Sequence, residues 1–399
     1  MTRDVDTAPR TAERDVARLV PLVAAAMTSQ SLLAVLTPSL VAVATDLGVE
    51  VAAAGQARSL TGAVALAGAL ALLVSVSVSS FGVRRLAVAG AFLVLAASAS
   101  VATATGPIHY LVAHVPVGLA IATLLTAGFA GLGGFTGGSR AWAAGWVTAA
   151  HGFAWVIGSP ISGALTEHIS WRSTHVFPAI LALGVLTLAG RFAGPAGTVS
   201  RGGLANMPRP AYRWAVAETL AYMGWAGVLT YVGALFVVGL GTTEGLTGWV
   251  LSAGAVSFVI ASVLGGRLAA AGDLRVTVYV LSGLLAVAVA GVFGSALLDG
   301  DARPRWLVGA VAYAVANAIA GARIATTNVL GMAQHPERPE LMMTALAGAI
   351  QAGYLLGAAL SGLALAVGDW AVSGLVLALV IAASAVLTAL RPSPNRNEP

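Results

Sequence analysis

Residues 158–163 read Gly158-Ser159-Pro160-Ile161-Ser162-Gly163 and are followed by Trp171, while residues 357–362 read Gly357-Ala358-Ala359-Leu360-Ser361-Gly362 and are followed by Trp370. Both stretches hold a leading Gly, a Ser-Gly pair and a Trp at one spacing, which is the mark of an internal repeat. A second, looser echo sets Ser75, Ser79, Gly82, Arg84 and Arg85 beside Gly265, Ala269, Gly272 and Arg275. The echoes come in the same order in both halves. One such match is easy in Gly- and Ala-rich sequence; two in order are not.

Both stretches lie in long apolar runs. The 399 residues are 58% hydrophobic and 9% charged, against about 25% charged in soluble globular domains. The solvent for such a chain is lipid. A spanning helix needs about 20 apolar residues, and runs of that kind fall at 19–45, 52–78, 85–105, 108–133, 142–166, 174–193, 211–239, 245–270, 276–297, 305–332, 341–366 and 370–390. This reading predicts an all-α integral membrane protein of twelve transmembrane helices, arranged as two parallel six-helix repeats. Its parts are an N-terminal tail (1–18), a first bundle (19–193), a Gly-, Pro- and Ser-rich linker (194–210), a second bundle (211–390) and a C-terminal tail (391–399). No hydrophilic stretch is long enough for a soluble catalytic domain.

All 21 basic residues are Arg, and their placement orients the helices. With the N-terminus in the cytoplasm, sixteen arginines fall in cytoplasmic loops or tails and only Arg172, Arg303 and Arg305 fall outside, as the positive-inside rule requires. Missing one helix would scramble that separation. Both termini and the linker are therefore expected on the cytoplasmic side of a multi-pass protein in a bacterial inner membrane. The arginines form no single basic face, so nucleic acid is not an expected partner. With no Cys and six scattered His residues, neither a disulfide nor a metal site is expected, and the sequence calls for no cofactor.

The residues just quoted carry a resemblance to the major facilitator superfamily, specifically to its twelve-helix drug or sugar efflux branch. That family has a loop of pattern Gly-x-x-x-Asp-x-x-Gly-Arg-Arg after helix two. Here Gly82, Arg84 and Arg85 are kept, and Ser75 and Ser79 stand where the Gly and Asp belong. The stretch from His151-Gly152 through Gly158, Pro160 and Gly163 is similar to the family's antiporter motif, and Trp171-Arg172 resembles a pair found at its external turn. His114 stands where efflux members often have an Arg. The resemblance implies gating roles for Gly82, Arg84, Arg85, Gly158, Pro160 and Gly163. Small residues allow close helix approach, and Pro160 frees a backbone carbonyl; plain helix packing is the competing explanation.

Ionisable residues inside a span call for a partner, a wet cavity or a task. Arg58, His114, His151, Glu218 and Arg323 meet that description. Counting the helical rise from the cytoplasmic end puts Glu218 and Arg323 each about 10–12 Å deep, so the two are expected to pair, either as a proton-coupling device or as a static bridge. Arg58, about 13 Å below the external surface, reads as an anion or carbonyl binder, or as a contact to Gln351 or Tyr354 across the half interface. His151 is a candidate proton carrier, as is His114, although a lone His often just bonds a backbone carbonyl. The resemblance adds Gln30, Trp155, Tyr222, Trp225, Tyr313, Asn317, Gln351 and Tyr354 as cavity-lining candidates.

Together these features imply a secondary transporter, acting as a monomer, with a small-molecule substrate, protons and the lipid bilayer as partners. Proton-coupled export of an amphipathic, drug-like or sugar-like molecule is the leading expectation. Uptake of a small organic or inorganic anion is the alternative, and a non-transporting membrane enzyme or receptor is a third. No carboxylate pair, nucleophile constellation or phosphate loop supports an enzyme.

Overall fold

The structure, a computed structural model, describes residues 7–74, 77–135, 137–192, 207–298, 302–337 and 339–390. All regular structure among them is helical. Nine helical stretches there are long and apolar enough to cross a membrane, matching the first, third, fourth and seventh to twelfth predicted runs. The other three runs are helical too. The second is split into α3 (Val51–Ala54) and α4 (Gln56–Val74) at Gly55. The fifth, within α7 (Gly137–His168), is long but diluted by Gly, Ser, His and Trp. The sixth holds only the twelve residues of α8 (Val176–Thr187), because 3-10 turns at Trp171–His175 and Ala189–Arg191 flank it. Most of the predicted linker and the whole C-terminal tail lie outside the described residues, and helix already begins at Thr7 within the predicted N-terminal tail.

By contact density the chain forms two compact units. The first is Met1–Thr198 with Thr243–Ser252, the second Val199–Thr242 with Ala253–Pro399. In the first unit α1 (Thr7–Ala34) runs into α2 (Leu36–Leu47) through a break at Val35. Pro38 lacks the N–H that would bond the Ala34 carbonyl, so the ladder fails there. The Val35 carbonyl, at the break, accepts the Ser39 and Ser162 hydroxyls, each at 2.7 Å. In lipid such carbonyls need protein donors. The unit also contains α5 (Ser77–Ala102) and α6 (Pro107–Ala130), which pack on each other and on α1 and α4.

The second unit holds α9 (Arg209–Ala234), extended by a π-helical turn to Gly239, most of α10 (Glu244–Ala271), α11 (Leu274–Gly294), α12 (Ala302–Ala333), α13 (Pro339–Val367) and α14 (Trp370–Ala389). Asp273 and Asp369 cap α11 and α14 by accepting backbone N–H groups of their first turns. Glycines set the spacing between helices. A Cβ at Gly357 or Gly353 of α13 would strike the α9 backbone at Met223 and Tyr222, and one at Gly265 of α10 would strike Ala322 of α12. Large apolar side chains point outward instead: Phe92, Ile108, Val287, Val311 and Leu379 are all at least 60% exposed. Large apolar side chains on the outer surface, with charged ones such as Arg58, Glu218 and Arg323 buried within, form the burial pattern of a lipid-solvated bundle.

Candidate functional site

Within the second unit, Glu218 of α9 and Arg323 of α12 meet as a bidentate pair. Arg323 Nη1 donates to Glu218 Oε2 at 3.0 Å and Nη2 to Oε1 at 2.8 Å. Their side chains are 0% and 2% exposed. Four residues that sequence reasoning missed complete the site. Arg323 Nε donates to Ser282 Oγ of α11 at 2.7 Å, and Nη2 reaches Ser384 Oγ of α14 at 3.5 Å. Thr327, one turn beyond Arg323, donates to Glu218 Oε1 at 2.7 Å and itself accepts the Trp214 indole N–H at 3.1 Å. Four helices thus hold one charge pair. A buried pair is tolerated only when further hydrogen bonds satisfy its remaining lone pairs and protons, and this network supplies them.

A small cavity of about 10 Å³ abuts Arg323, lined by Ala221, Tyr222, Trp225, Leu285, Ala320 and Ile324. It brings the predicted Tyr222 and Trp225 together with Arg323. At that size it has room for about one water molecule. Tyr313 and Asn317 lie elsewhere in the unit. Asn317 Nδ2 donates to the Tyr313 carbonyl at 2.9 Å, and both side chains pack on Gly254. Gln351 and Tyr354 are buried in α13.

In the first unit Arg58 is fully buried and serves the break in α1 and α2. Its Nη2 donates to the Leu33 carbonyl at 2.5 Å and to Thr37 Oγ1 at 3.2 Å. Its guanidinium lies 5.6 Å from the centroid of Trp155, within cation-π range. Gln30 is buried on α1. His114 shares its Nδ1 with the Tyr110 carbonyl at 2.8 Å, the bland arrangement for a lone His. His151 packs edge-on to Phe129, and its Nε2 is buried without a hydrogen-bond partner among the described residues.

The loop and motif residues have definite places. Gly82 takes φ 69° inside α5, a left-handed conformation that favours glycine. Arg84 and Arg85 follow it on the exposed surface. Ser75 lies outside the described residues, and of the Ser79 side chain nothing is described. In α7, Pro160 cannot donate to the Val156 carbonyl, and Ser252 of α10 does so instead at 2.7 Å. A Cβ at Gly163 would strike the Glu244 carbonyl, and one at Gly248 the Ser159 carbonyl. Gly158 faces Phe177 and Ala34. Glu167, at the end of α7, accepts the Gly245 N–H at 2.7 Å; bonds from Thr243 and Gly245 hold its carboxyl below the usual carboxylate range. Trp171 and Arg172 both donate to Asp46 Oδ2, at 3.2 and 2.6 Å, and Arg172 also donates to the Ala104 carbonyl. Asp46 carried no signal in the sequence because it sits at a helix end among other charges.

With nine helices among the described residues long and apolar enough to cross a membrane, the chain is a multi-pass integral membrane protein. Comparison with known families points the same way: the Major Facilitator Superfamily model matches residues 20–210. No curated protein matches the chain in sequence. Over residues 20–210, a little under half of the chain, the protein is similar to the Major Facilitator Superfamily, a family of membrane transporters.

Proposed function

We propose that the protein is a proton-coupled exporter of a small amphipathic, drug-like or sugar-like molecule, working as a monomer by alternating access in a bacterial inner membrane with both termini cytoplasmic. The observation that carries the reading is the Glu218–Arg323 pair. A carboxylate can discharge by taking a proton, whereas a guanidinium stays charged. Protonating Glu218 releases Arg323 toward the adjoining cavity, where Tyr222 and Trp225 wait. A binding event that differs between the two protonation states is what coupling requires. In the paired state the Thr327 hydroxyl, itself accepting the Trp214 indole N–H, also donates to the Glu218 carboxylate.

Export is supported by the α7 motif, where Gly163, Pro160 and the Val156 carbonyl make a close, hydroxyl-bridged contact with the first turns of α10. Arg58, already committed to Leu33 and Thr37, lends little weight to uptake of an anion.

The test is reconstitution into proteoliposomes under an imposed pH gradient, with substrates first found by thermal shift and proton movement followed by a pH-sensitive dye. Wild type is expected to move protons and substrate together, and Glu218→Gln to lose the gradient dependence. Full gradient-driven transport by Glu218→Gln would end the coupling role.

A further inference from the structure

A second, small cleft, of about 20 Å³ and open to the surface, lies where α9, α11, α12 and α14 end on the side carrying the N-termini of α9 and α11. Among the described residues its walls include Arg213, Arg275, Trp214, Leu330, Gln334 and Thr388, and none of the described lining residues is a carboxylate. Both arginines are half-buried, and among the described residues neither makes an ion pair: the two pairs present are Arg172–Asp46 and Arg323–Glu218. Arg275 has a single long bond of 3.4 Å, to the Leu390 carbonyl. The nearest acid in sequence, Asp273, gives its Oδ1 to the N–H groups of Arg275 and Val276.

Helix position sharpens the imbalance. Arg213 is the fifth residue of α9 and Arg275 the second of α11. A helix start already bears partial positive charge and favours anions. Two guanidinium groups share one cleft there, and the C-terminal ends of α12 and α14, with the Leu390 carbonyl accepting from Arg275, offer them only partial negative charge, so the cleft keeps an excess of positive charge. The neutral polar groups do not offset it: Gln334 Nε2 is tied to the Leu330 carbonyl and Thr388 Oγ1 to that of Ser384. Trp214 has given its N–H to Thr327 and presents ring surface beside Leu330 and Leu387.

We propose that this cavity is an anion site for a phosphate-bearing group, held by Arg213 and Arg275 over an apolar wall. Planar guanidinium groups match phosphate oxygens two at a time. The apolar wall would suit the glycerol and upper acyl carbons of a lipid, and the positive-inside orientation sets the cleft at the level of anionic headgroups. A free phosphate monoester presents the same oxygens without the apolar part.

The test compares unfolding midpoints of the full-length protein and the Arg213→Gln/Arg275→Gln variant. One arm uses nanodiscs of phosphatidylcholine alone against equal parts phosphatidylcholine and phosphatidylglycerol; the other uses inorganic phosphate in a neutral detergent. Each arginine is expected to contribute about tenfold in affinity. A rise with phosphatidylglycerol that the variant loses, with phosphate inert, assigns the site to lipid. A rise with phosphate that the variant loses assigns it to a soluble anion. Equal responses of wild type and variant, or no response of wild type in either arm, overturn the proposal. Arg275→Gln alone, at a half-exposed position, carries the same comparison should the double variant not fold.

Discussion

Removing one charge from the Glu218–Arg323 pair should damage the protein more than removing both. The pair is fully buried and bonded at 2.8 and 3.0 Å. At an effective dielectric of about 20 and a charge separation near 4 Å, its attraction is about 4 kcal/mol, and breaking buried pairs by deleting one partner typically costs about 3–5 kcal/mol. Glu218→Gln leaves Arg323 charged, with the neutral acceptors Ser282, Ser384 and a single amide oxygen in place of a carboxylate. Arg323→Gln leaves Glu218 with the Thr327 hydroxyl, and the carboxyl can neutralise itself with a proton. Glu218→Gln should therefore be the more damaging single change. The double variant should recover about 2 kcal/mol or more relative to the sum of the singles, well beyond the roughly 0.5 kcal/mol within which independent sites add. The assay is reversible unfolding in mixed micelles of detergent and denaturing surfactant, followed by tryptophan fluorescence. Additive losses, or a Glu218→Gln loss under about 1 kcal/mol, would show that the pair does not act as a unit.

Other perturbations have equally definite outcomes. Thr327→Val keeps the shape but removes the donor to Glu218 Oε1, and should cost about 1–3 kcal/mol in the same unfolding assay. Gly82→Ala forces a Cβ onto φ 69°, ψ 153° with open space around it, so the loss should be the backbone strain alone, about 1–3 kcal/mol. Ser252→Ala leaves the Val156 carbonyl without its hydroxyl donor; a drop of about 1–3 kcal/mol is expected, and Ser252→Thr, which keeps the hydroxyl, should lose less. Glu167 has a depressed folded pKa through Thr243 and Gly245. Its contribution is complete above the unfolded value of about 4.3 and fades as pH falls through the lower folded value. Glu167→Gln should flatten that acid-side slope in a thermal-melt series and leave the neutral-pH slope unchanged.

How far these features were readable from the chain varies with their chemistry. Glu218 and Arg323 were visible because a charge is rare in an apolar run, and helical rise converts position into depth. Ser282, Thr327 and Ser384 were not. A hydroxyl in a membrane helix can satisfy itself on its own backbone, as Ser282 does with the Val278 carbonyl at 2.8 Å, so nothing in the sequence separates a network member from a bystander. Arg58 was visible as a charge in an apolar run, but its partner carbonyl at Leu33 lies beside the point where the ladder fails at Val35. Pro38 was the only local sign of that failure. The sixth run was legible as apolar, yet its regular helix stops at twelve residues, since the Trp171–His175 turn winds tightly to hold Asp46. Composition records how much apolar length is present, and tertiary bonds decide how it is wound. The repeated Ser-Gly pair makes the same point. Ser162 serves the Val35 carbonyl, whereas Ser361 bonds Ser373 of α14, so one inherited pattern came to serve two different contacts.

The hydroxyl that bridges Ser252 to the Val156 carbonyl has a lopsided dependence on wetting. If α7 and the start of α10 drew apart, Ser252 would turn its hydrogen to a carbonyl one turn back in its own helix, as Ser257 already does with Ala253. Val156 has no such refuge, because Pro160 removed its natural donor. Its oxygen would stay bare until a water molecule arrived. Separation at this point is thus a solvation event on one side only, and its rate should follow the arrival of water more closely than the strength of the bond being broken.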